Sequence, residues 1–402
     1  MNAVDHSAGN NQRAELQAVI NYANILFDRG WTIDAFRIYS QIEQIGLPLE
    51  GTRFGEVKAA YAACDPVACD TGPHQPNFLV KDHQVLSTMH FTTALTPYQK
   101  KLAFKSSVRK VDIETSTQCN RLCAYCSNVV NDRRSKNIFM DKAMYEHLID
   151  QLAEVDYAGR LSYVGHNEPM MHMDDLVERM KYVRPRLPRA RLTVFTNGDY
   201  LNPESLRMLE ECGCDIINMT VHLSSAKTFD ECEALKRTFD KAKKLNLKPE
   251  MDIFIQNVRF SINLVGSPVN IRVRHANMVE VGHSEGDVME GIGQKIAGRT
   301  VPCQQPYYSF IVGYNGNVHP CSPVVADVPE HAPFVCGNVG KESIFDIYSG
   351  EAYVRWRRDM MPIGCKPGAC ASCPSHMETY GAEWQEMIQS LITDADRMAL
   401  HS

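Results

Sequence analysis

The run Val111-Asp-Ile-Glu-Thr-Ser-Thr-Gln-Cys119-Asn-Arg-Leu-Cys123-Ala-Tyr-Cys126 joins a short strand pattern to three closely spaced cysteines. Residues 111–115 read as a strand that delivers the loop carrying those cysteines. Three thiolates on one loop can hold three irons of a 4Fe–4S cube, whereas such clusters normally take four cysteines. The loop therefore predicts an open iron at which a substrate or a cofactor binds.

A zinc site is the alternative use of this loop. Zinc sites usually pair two two-cysteine knuckles or add histidines at a later spacing. The first histidine after Cys126 is His147, which is not at a usual knuckle spacing. The sequence favours a cluster over zinc but leaves both open at this point.

The composition restricts the class of protein. The chain has 402 residues, 44% of them hydrophobic and 22% charged, which is the balance of an ordinary globular protein. Its formal net charge of −6 gives no electrostatic reason to expect a nucleic-acid partner. No apolar stretch is long enough to span a bilayer, and the polar residues 1–12 lack a signal-peptide core. We therefore expect no membrane association and a cytoplasmic location.

The N-terminal region, residues 1–80, is predicted to be helical and to end in a linker. Apolar residues recur at helical spacing through residues 14–64. Prolines and turn residues concentrate in residues 65–80, which read as the linker. We assign this region no chemistry.

Strand and helix patterns alternate from about residue 110. Predicted strands cover residues 111–115, 161–164, 191–196, 216–221, 251–255 or 260–264, and 271–275, with helical periodicity between the earlier ones. This order is typical of a parallel α/β barrel. The fold class is thus α/β, with a partial (β/α)6 TIM-like barrel over residues 105–298 and a separate module over residues 299–402.

The cysteine spacing resembles the signature of the radical S-adenosylmethionine (SAM) superfamily, whose open iron chelates the amino and carboxylate groups of SAM. Two further motifs lie after predicted strands, where α/β barrels place their active sites. Gly165-His-Asn-Glu168-Pro169 resembles the family's Gly-Gly-Glu-Pro motif, although His166-Asn167 replaces the second glycine. Thr196-Asn197-Gly198 resembles the Thr-Asn-Gly turn beside the SAM pocket. The resemblance implies that Gly165, Glu168, Pro169, Thr196 and Asn197 contact SAM.

Three more residues are candidates by their position. Asn218 and Thr220 alternate on one face of a predicted strand, where either could hydrogen-bond the SAM ribose, or be an ordinary strand residue. Tyr125 stands where the family places an aromatic ring beside adenine, although a packing role is the alternative. The resemblance also implies the chemistry: one-electron cleavage of SAM gives a 5′-deoxyadenosyl radical, which abstracts hydrogen from an unactivated C–H bond.

A second group of cysteines lies near the C-terminus. The frame Cys303…Gly316-x-x-x-x-Cys321 and the closing Cys370-x-x-Cys373 resemble the SPASM/Twitch extensions of the family, which carry auxiliary 4Fe–4S clusters. We predict a Twitch-like module with one cluster ligated by these four cysteines, with Cys365 as a possible substitute. Cys336 fits neither set, and zinc remains the alternative metal because four thiolates suit it as well.

The predicted function is that of a radical SAM oxidoreductase with a small polar natural-product substrate, such as an amino sugar or a cyclitol. The auxiliary cluster would accept the substrate's electron in a dehydrogenation, or the reaction would be an epimerisation. A peptide maturase on the same fold and a non-catalytic metal or iron–sulfur protein are the alternatives. The enzyme would need an external one-electron reductant, such as flavodoxin or ferredoxin. Arg272, Arg274 and His275 alternate on a late strand, and two of them share a face that could bind a carboxylate or a phosphate. The sequence favours the alternative, in which they are solvated charges at the end of the strand.

Overall fold

The computed structural model divides into two compact units, Met1–Gln84 and Val85–Ser402. It describes residues 52–63, 86–129, 137–223, 229–282, 286–289, 291–293, 296–325, 327–375, 377 and 380–400, together with four isolated positions before residue 52. In the first unit the described helix is α1 (Phe54–Ala63). The remainder of the predicted helical region and the predicted linker lie outside the described residues.

The second unit is built on one sheet. Its strands are β1 (Lys110–Ile113), β2 (Arg160–Tyr163), β3 (Arg191–Thr196), β4 (Ile216–Thr220), β5 (Lys248–Ile255), β6 (Arg259–Val265), β7 (Asn270–Ala276), β8 (Ser309–Val312), β9 (Asn317–His319) and β10 (Gly337–Asn338). They are ordered β10-β9-β8-β1-β2-β3-β4-β7-β6-β5. The central part, from β8 to β7, is parallel, and both margins are antiparallel.

Six strands are parallel, as the sequence predicts, but their identity differs at the two ends. The predicted strand near residues 251–264 is the antiparallel hairpin of β5 and β6, and β7 alone pairs in parallel with β4. The sixth parallel strand is β8, which pairs with β1 although it lies in the cysteine-rich C-terminal region. The α/β fold with a partial TIM-like barrel is therefore confirmed, and the boundary between the barrel and the C-terminal module stays a prediction.

Helices follow the strands along the chain. They are α2 (Pro97–Ser107), α3 (Lys142–Glu154), α4 (Met173–Arg186), α5 (Pro203–Glu211), α6 (Glu231–Lys244), α7 (Met278–Val281), α8 (Gln305–Tyr308), α9 (Ile344–Tyr348), α10 (Glu351–Met360) and α11 (Ala382–Leu400). Polar side chains fix several starts by accepting a backbone N–H of the first turn: Thr96 for α2, Asp141 for α3, Asn202 for α5 and Asp230 for α6. No helix in the described ranges is long and apolar enough to cross a membrane.

The two faces of the parallel sheet differ in polarity. Side chains in register on neighbouring parallel strands point to the same face. One face carries apolar residues that form the core with the helices, such as Val111, Leu161 and Leu192. The opposite face, which we call the inner face, carries Lys110, Asp112, Arg160, Ser162, Thr193, Phe195, Asn218, Thr220, Arg272 and Arg274. A polar face that stays this rich in charge is suited to binding rather than to packing.

Candidate cofactor and cluster sites

The cysteine loop begins directly after β1 and is held by a neighbouring segment. Thr117 donates its N–H to the carbonyl of Ile138 at 3.0 Å, and Met140 donates to the carbonyl of Thr115 at 2.9 Å. Cys119, Cys123 and Cys126 are all half-buried. Burial raises the pKa of the Cys123 thiol to about 11, so metal binding at this loop displaces a proton.

Nitrogen atoms lie near two of these sulfurs. The backbone N–H of Arg121 lies 3.4 Å from Cys119 Sγ, and Asn197 Nδ2 lies 3.9 Å from it. His222 Nδ1 is 3.5 Å from Cys123 Sγ. Hydrogen bonds to the sulfurs tune the potential of an iron–sulfur cluster. Three sulfur ligands on one loop with such nitrogen atoms near them fit a cluster bound by three cysteines.

Glu168 joins the cysteine loop to the ends of two strands. Its Oε1 accepts hydrogen bonds from Met170 N at 3.0 Å and Thr196 Oγ1 at 2.8 Å, and its Oε2 accepts one from Asn197 N at 2.6 Å. Its own N–H donates to the carbonyl of Gln118 at 2.8 Å. Burial raises the pKa of the Glu168 carboxyl to about 7, although these three donors oppose the rise. The predicted Glu-Pro and Thr-Asn-Gly motifs thus form one structure.

The backbone at Gly165 passes so close to the Glu114 side chain that only glycine fits there. The sequence did not predict this contact. A Cβ at Gly165 would lie 2.5 Å from Glu114 Oε1. The next residue, His166, donates its backbone N–H to that same oxygen at 2.7 Å. The family's second glycine is replaced here by His166-Asn167. The replacement is accommodated because His166 makes this contact through its backbone. Asn167 Nδ2 lies 3.3 Å from Ser116 Oγ.

Asp199 and Arg121 form an ion pair that no sequence motif indicates. Arg121 donates to the carboxylate of Asp199 through Nε at 2.7 Å and through a terminal nitrogen at 2.6 Å. Asn120 Nδ2 donates to Asp199 at 2.7 Å. Burial would raise the pKa of Asp199, but these hydrogen bonds outweigh it and lower that pKa. The pair fixes the cysteine loop to the turn after β3, although the two residues are far apart in sequence.

Tyr125 lies against His222, beyond the end of β4. Its hydroxyl is 2.7 Å from His222 Nδ1, and the two rings are stacked with centroids 5.8 Å apart. Asn218 is buried on β4, and Thr220 is half-buried at the end of that strand. Tyr125 and Thr220 therefore lie near the carboxyl ends of the parallel strands, where the cysteine loop begins. Asn218 lies two residues before Thr220 on the same face of β4. Their contacts with SAM stay predictions.

Four C-terminal cysteines gather at a second site. Burial, followed by the nearby Cys303 and Cys373, raises the pKa of the Cys370 thiol to about 12. The pKa of Cys321 is also raised by burial and then by the same three thiols. Arg299 is buried beside them and donates to the carbonyl of Cys373 at 3.2 Å. Four thiols with a neighbouring cation fit a group that carries negative charge.

The other two candidates are Cys336, which packs against the same apolar cluster as Cys303, Cys321 and Cys370, and Cys365. Cys336 donates to the carbonyl of Phe334 at 3.4 Å and lies near Tyr353. Cys365 is exposed. Across the described ranges, no three His, Cys, Asp or Glu side chains are close enough together to hold a single metal ion.

Comparison with known proteins gives one curated relative and several solved structures. The relative is the S-adenosyl-L-methionine-dependent 2-deoxy-scyllo-inosamine dehydrogenase of Niallia circulans, 28% identical over 266 residues, which are 65% of this chain and 91% of the relative. BtrN in complex with AdoMet and 2-DOIA is 24% identical, with 68% of this chain and 97% of that chain covered and a TM-score of 0.48. Streptococcus suis SuiB bound to precursor peptide SuiA is 13% identical, with 69% and 75% covered and a TM-score of 0.38.

Two family models match the chain in consecutive parts. Residues 113–255 match the radical SAM superfamily, and residues 303–374 match SPASM, an iron–sulfur cluster-binding domain. The first match contains the three-cysteine loop and both strand-end motifs, and the second contains all four gathered C-terminal cysteines. A radical SAM domain uses a 4Fe–4S cluster and SAM, and the SPASM domain adds auxiliary iron–sulfur binding. The chain therefore carries a radical SAM domain, followed towards its C-terminus by a SPASM domain.

Proposed function

We propose that this protein is a radical SAM dehydrogenase that oxidises an alcohol of a small polar natural-product intermediate, such as an aminocyclitol or an amino sugar. The observation that carries the proposal is the curated relative, a dehydrogenase of an aminocyclitol that is aligned over 91% of its own length. The polar inner face of the sheet supports it, because a polyhydroxylated substrate needs several hydrogen-bonding partners.

We assign the SAM-binding cluster to Cys119, Cys123 and Cys126. SAM would lie against Tyr125, Gly165, Glu168, Pro169, Thr196, Asn197, Asn218 and Thr220. Glu168 Oε2 accepts one hydrogen bond within the chain, so a carboxylate oxygen there can accept another from an amino group. We assign the auxiliary cluster to Cys303, Cys321, Cys370 and Cys373, with Cys365 outside this set because it is exposed.

Oxidation of an alcohol removes a hydrogen atom, a proton and an electron. When bound, the cluster and SAM supply a carbon-centred radical that takes the hydrogen atom. The chain must then hold the substrate between this radical and an acceptor for the electron. Lys110, on the inner face, donates to Ser322 Oγ at 2.9 Å, and Ser322 adjoins Cys321. The auxiliary site that we propose would thus border the inner face, where the proposed reaction requires an electron acceptor.

We also propose a cytoplasmic location and an external one-electron reductant of the flavodoxin or ferredoxin class. The fourteen cysteines support the location, because thiols stay reduced in the cytosol. The proposed reaction needs an electron from outside the chain. The cysteine loop is only half-buried, so a protein reductant could approach the cluster closely enough to supply it.

Anaerobic reconstitution tests the function. We expect about eight irons per chain for two cubane clusters, and 5′-deoxyadenosine on addition of SAM and dithionite. Substrate deuterated at the oxidised carbon, beginning with 2-deoxy-scyllo-inosamine, should transfer deuterium into 5′-deoxyadenosine and yield a ketone.

Two variants define the controls. Cys123→Ala should abolish SAM cleavage, whereas Cys232→Ala, at an exposed cysteine, should leave it unchanged. Retention of SAM cleavage by Cys123→Ala would contradict the assigned site. Deuterium transfer from a peptide but from no cyclitol or amino sugar would identify a peptide maturase instead.

A further inference from the structure

Arg274 is a cation on the inner face without an acidic partner. It lies in register with Thr220, and its guanidinium is 5.8 Å from the centroid of the Phe195 ring. Among the residues that the structure describes, no carboxylate pairs with it and no hydrogen bond engages its side chain. Burial, with Arg272 and Arg160 nearby, lowers the pKa of Arg274 to about 10. A buried arginine without an acidic partner is suited to binding an anion, because its planar guanidinium matches the oxygens of a carboxylate or a phosphate.

Arg272, two residues earlier on the same strand and face, has its partners. It donates to Asp252 at 2.6 Å and to Ser261 Oγ at 2.6 Å. Its charge is therefore neutralised within the fold. Arg272 thus has a carboxylate partner from the sheet, whereas Arg274, two residues later on the same face, has none among the described residues.

A second guanidinium, that of Arg160, also lies near the Phe195 ring. It comes from β2, on the other side of β3 from β4 and β7. Arg160, on β2, lies 5.6 Å from the centroid of the same ring. Asp112 is its nearest carboxylate, at 3.8 Å, and Asp112 also lies 3.4 Å from Lys110. Around Phe195, the guanidiniums of Arg160 and Arg274 thus have one carboxylate nearby, that of Asp112, which also lies near Lys110. This leaves a surplus of positive charge around the ring.

Polar atoms near these cations also lack partners. Within the described part of the chain, no hydrogen-bond partner lies against Arg160 Nε, Thr193 Oγ1 or Asn218 Oδ1, and all three atoms are buried. Buried polar atoms are normally paired, since leaving one unpaired costs about 1–3 kcal/mol. Donors and acceptors therefore face the same space as the surplus positive charge, which is the arrangement of a ligand site.

We propose that this part of the inner face binds an anionic group on the substrate, a phosphate monoester or a carboxylate, through Arg274 and Arg160. The inference rests on the proposed function, since it specifies the class of substrate for the same site. Arg274 would form a bidentate contact with the anionic oxygens, Phe195 would hold both guanidinium planes in place, and Asn218 and Thr193 would pair with neutral hydroxyls of the ring.

The test is isothermal titration calorimetry on the anaerobic, reconstituted full chain with SAM present. The probes are glucosamine 6-phosphate, glucuronate and glucosamine, so that phosphate and carboxylate are each compared with a sugar that has neither group. We expect one anionic probe to bind about tenfold or more tightly than glucosamine. Arg274→Gln should abolish that preference, and Arg274→Lys should retain part of it.

The matched control is Arg207→Gln, which removes an exposed positive charge from α5, away from the sheet's inner face, and should keep the preference. Equal binding of all three probes by the unmodified protein would overturn the inference, as would an unchanged preference in Arg274→Gln. Weaker SAM binding in Arg274→Gln with the preference intact would overturn it too, because Arg274 would then serve the SAM carboxylate.

Two further measurements keep the proposals separable. If Arg274→Gln does not fold, Arg160→Gln must lower the preference for the anionic probe, and its failure to do so would contradict the inference. Formation of 5′-deoxyadenosine without substrate is measured on each variant. If the unmodified protein forms no 5′-deoxyadenosine, the proposed function is contradicted. If it cleaves SAM but shows no preference for an anionic probe, only the further inference is contradicted.

Discussion

Glu168 Oε2 accepts the backbone N–H of Asn197 at 2.6 Å. The two residues follow β2 and β3, which are adjacent parallel strands. Because Glu168 is only 1% exposed, this hydrogen bond forms away from water and fixes the relative position of the two loops that follow β2 and β3. The motifs after β2 and β3 therefore depend on one carboxylate.

Glu168→Gln should loosen this connection without changing side-chain size. If the Gln oxygen keeps the contacts with Met170 and Thr196, its NH₂ group faces the N–H of Asn197, and two donors oppose each other. We expect unfolding free energy to fall by about 1–3 kcal/mol and SAM affinity to fall about tenfold or more. Urea unfolding and SAM titration measure the two effects. Glu178→Gln, at an exposed residue, is the control, and an equal result for both variants would contradict this role.

Gly198→Ala should destabilise the Thr-Asn-Gly turn for two reasons. Gly198 has a φ of +78°, and an added Cβ would collide with Met219. Gly291 has a similar φ of +71° but open space around its Cβ position, so Gly291→Ala isolates the conformational cost of about 1–2 kcal/mol. We expect Gly198→Ala to lose about 1–3 kcal/mol more than Gly291→Ala, from overpacking. Thermal or urea unfolding compares them, and equal losses would show that Met219 moves aside freely.

The auxiliary assignment predicts which cysteines hold iron. Cys321→Ala should reduce iron from about eight to about four per chain, because Cys321 is one of the four gathered thiols. Cys365→Ala and Cys336→Ala should keep the full iron content, since neither thiol is among the four to which we assign the cluster. Iron and sulfide analysis after anaerobic reconstitution decides the point. Iron loss in Cys365→Ala would restore that residue as a ligand.

Acid should destabilise the protein partly through His90. Burial, and then Arg357, lower the pKa of His90 to about 3, whereas an unfolded histidine titrates near 6.5. The unfolded state therefore binds a proton that the folded state refuses between these values, and stability falls as pH falls through this window. Between pH 7.5 and 5.5 the cost attributable to His90 is about 1.4 kcal/mol.

The measurement is urea unfolding of the anaerobic holoprotein at both pH values. His90→Gln should lose about 1.4 kcal/mol less than the unmodified protein over this interval. His147→Gln, at an exposed histidine, should keep the original dependence. If His90→Gln keeps it as well, His90 is not the buried neutral group that the structure places against Ser107.

Local spacing made the cofactor motifs predictable. The three cysteines of the loop, Glu168 and the Thr196-Asn197 turn each lie within a few residues of a recognisable strand, and parallel strand ends meet at one edge of the sheet. The structure places them together, as expected. Contacts between distant segments were not accessible in this way. The Arg121–Asp199 pair and the approach of Glu114 to Gly165 depend on loop conformations that no periodicity encodes.

The margins of the sheet show the same limit. The sequence patterns predicted β7 and a strand in the place of either β5 or β6, but whether both form, and in which direction, depends on their turns and neighbours. Alternation likewise predicted that two of Arg272, Arg274 and His275 share a face, and the register places Arg272 and Arg274 together. Which of the two lacks a carboxylate depends on Asp252 of β5, which reaches Arg272 only because β5 and β6 form an antiparallel hairpin.

The pairing of β8 with β1 has a consequence for how the chain can be divided. A shortened protein ending near residue 298 would keep the radical SAM motifs but lose the strand that covers one side of β1. The exposed backbone of β1 would then be free to recruit other chains, and we expect aggregation. The region that matches SPASM thus supplies a strand of the same sheet that carries the three-cysteine loop, and the two groups of cysteines belong to one hydrogen-bonded structure.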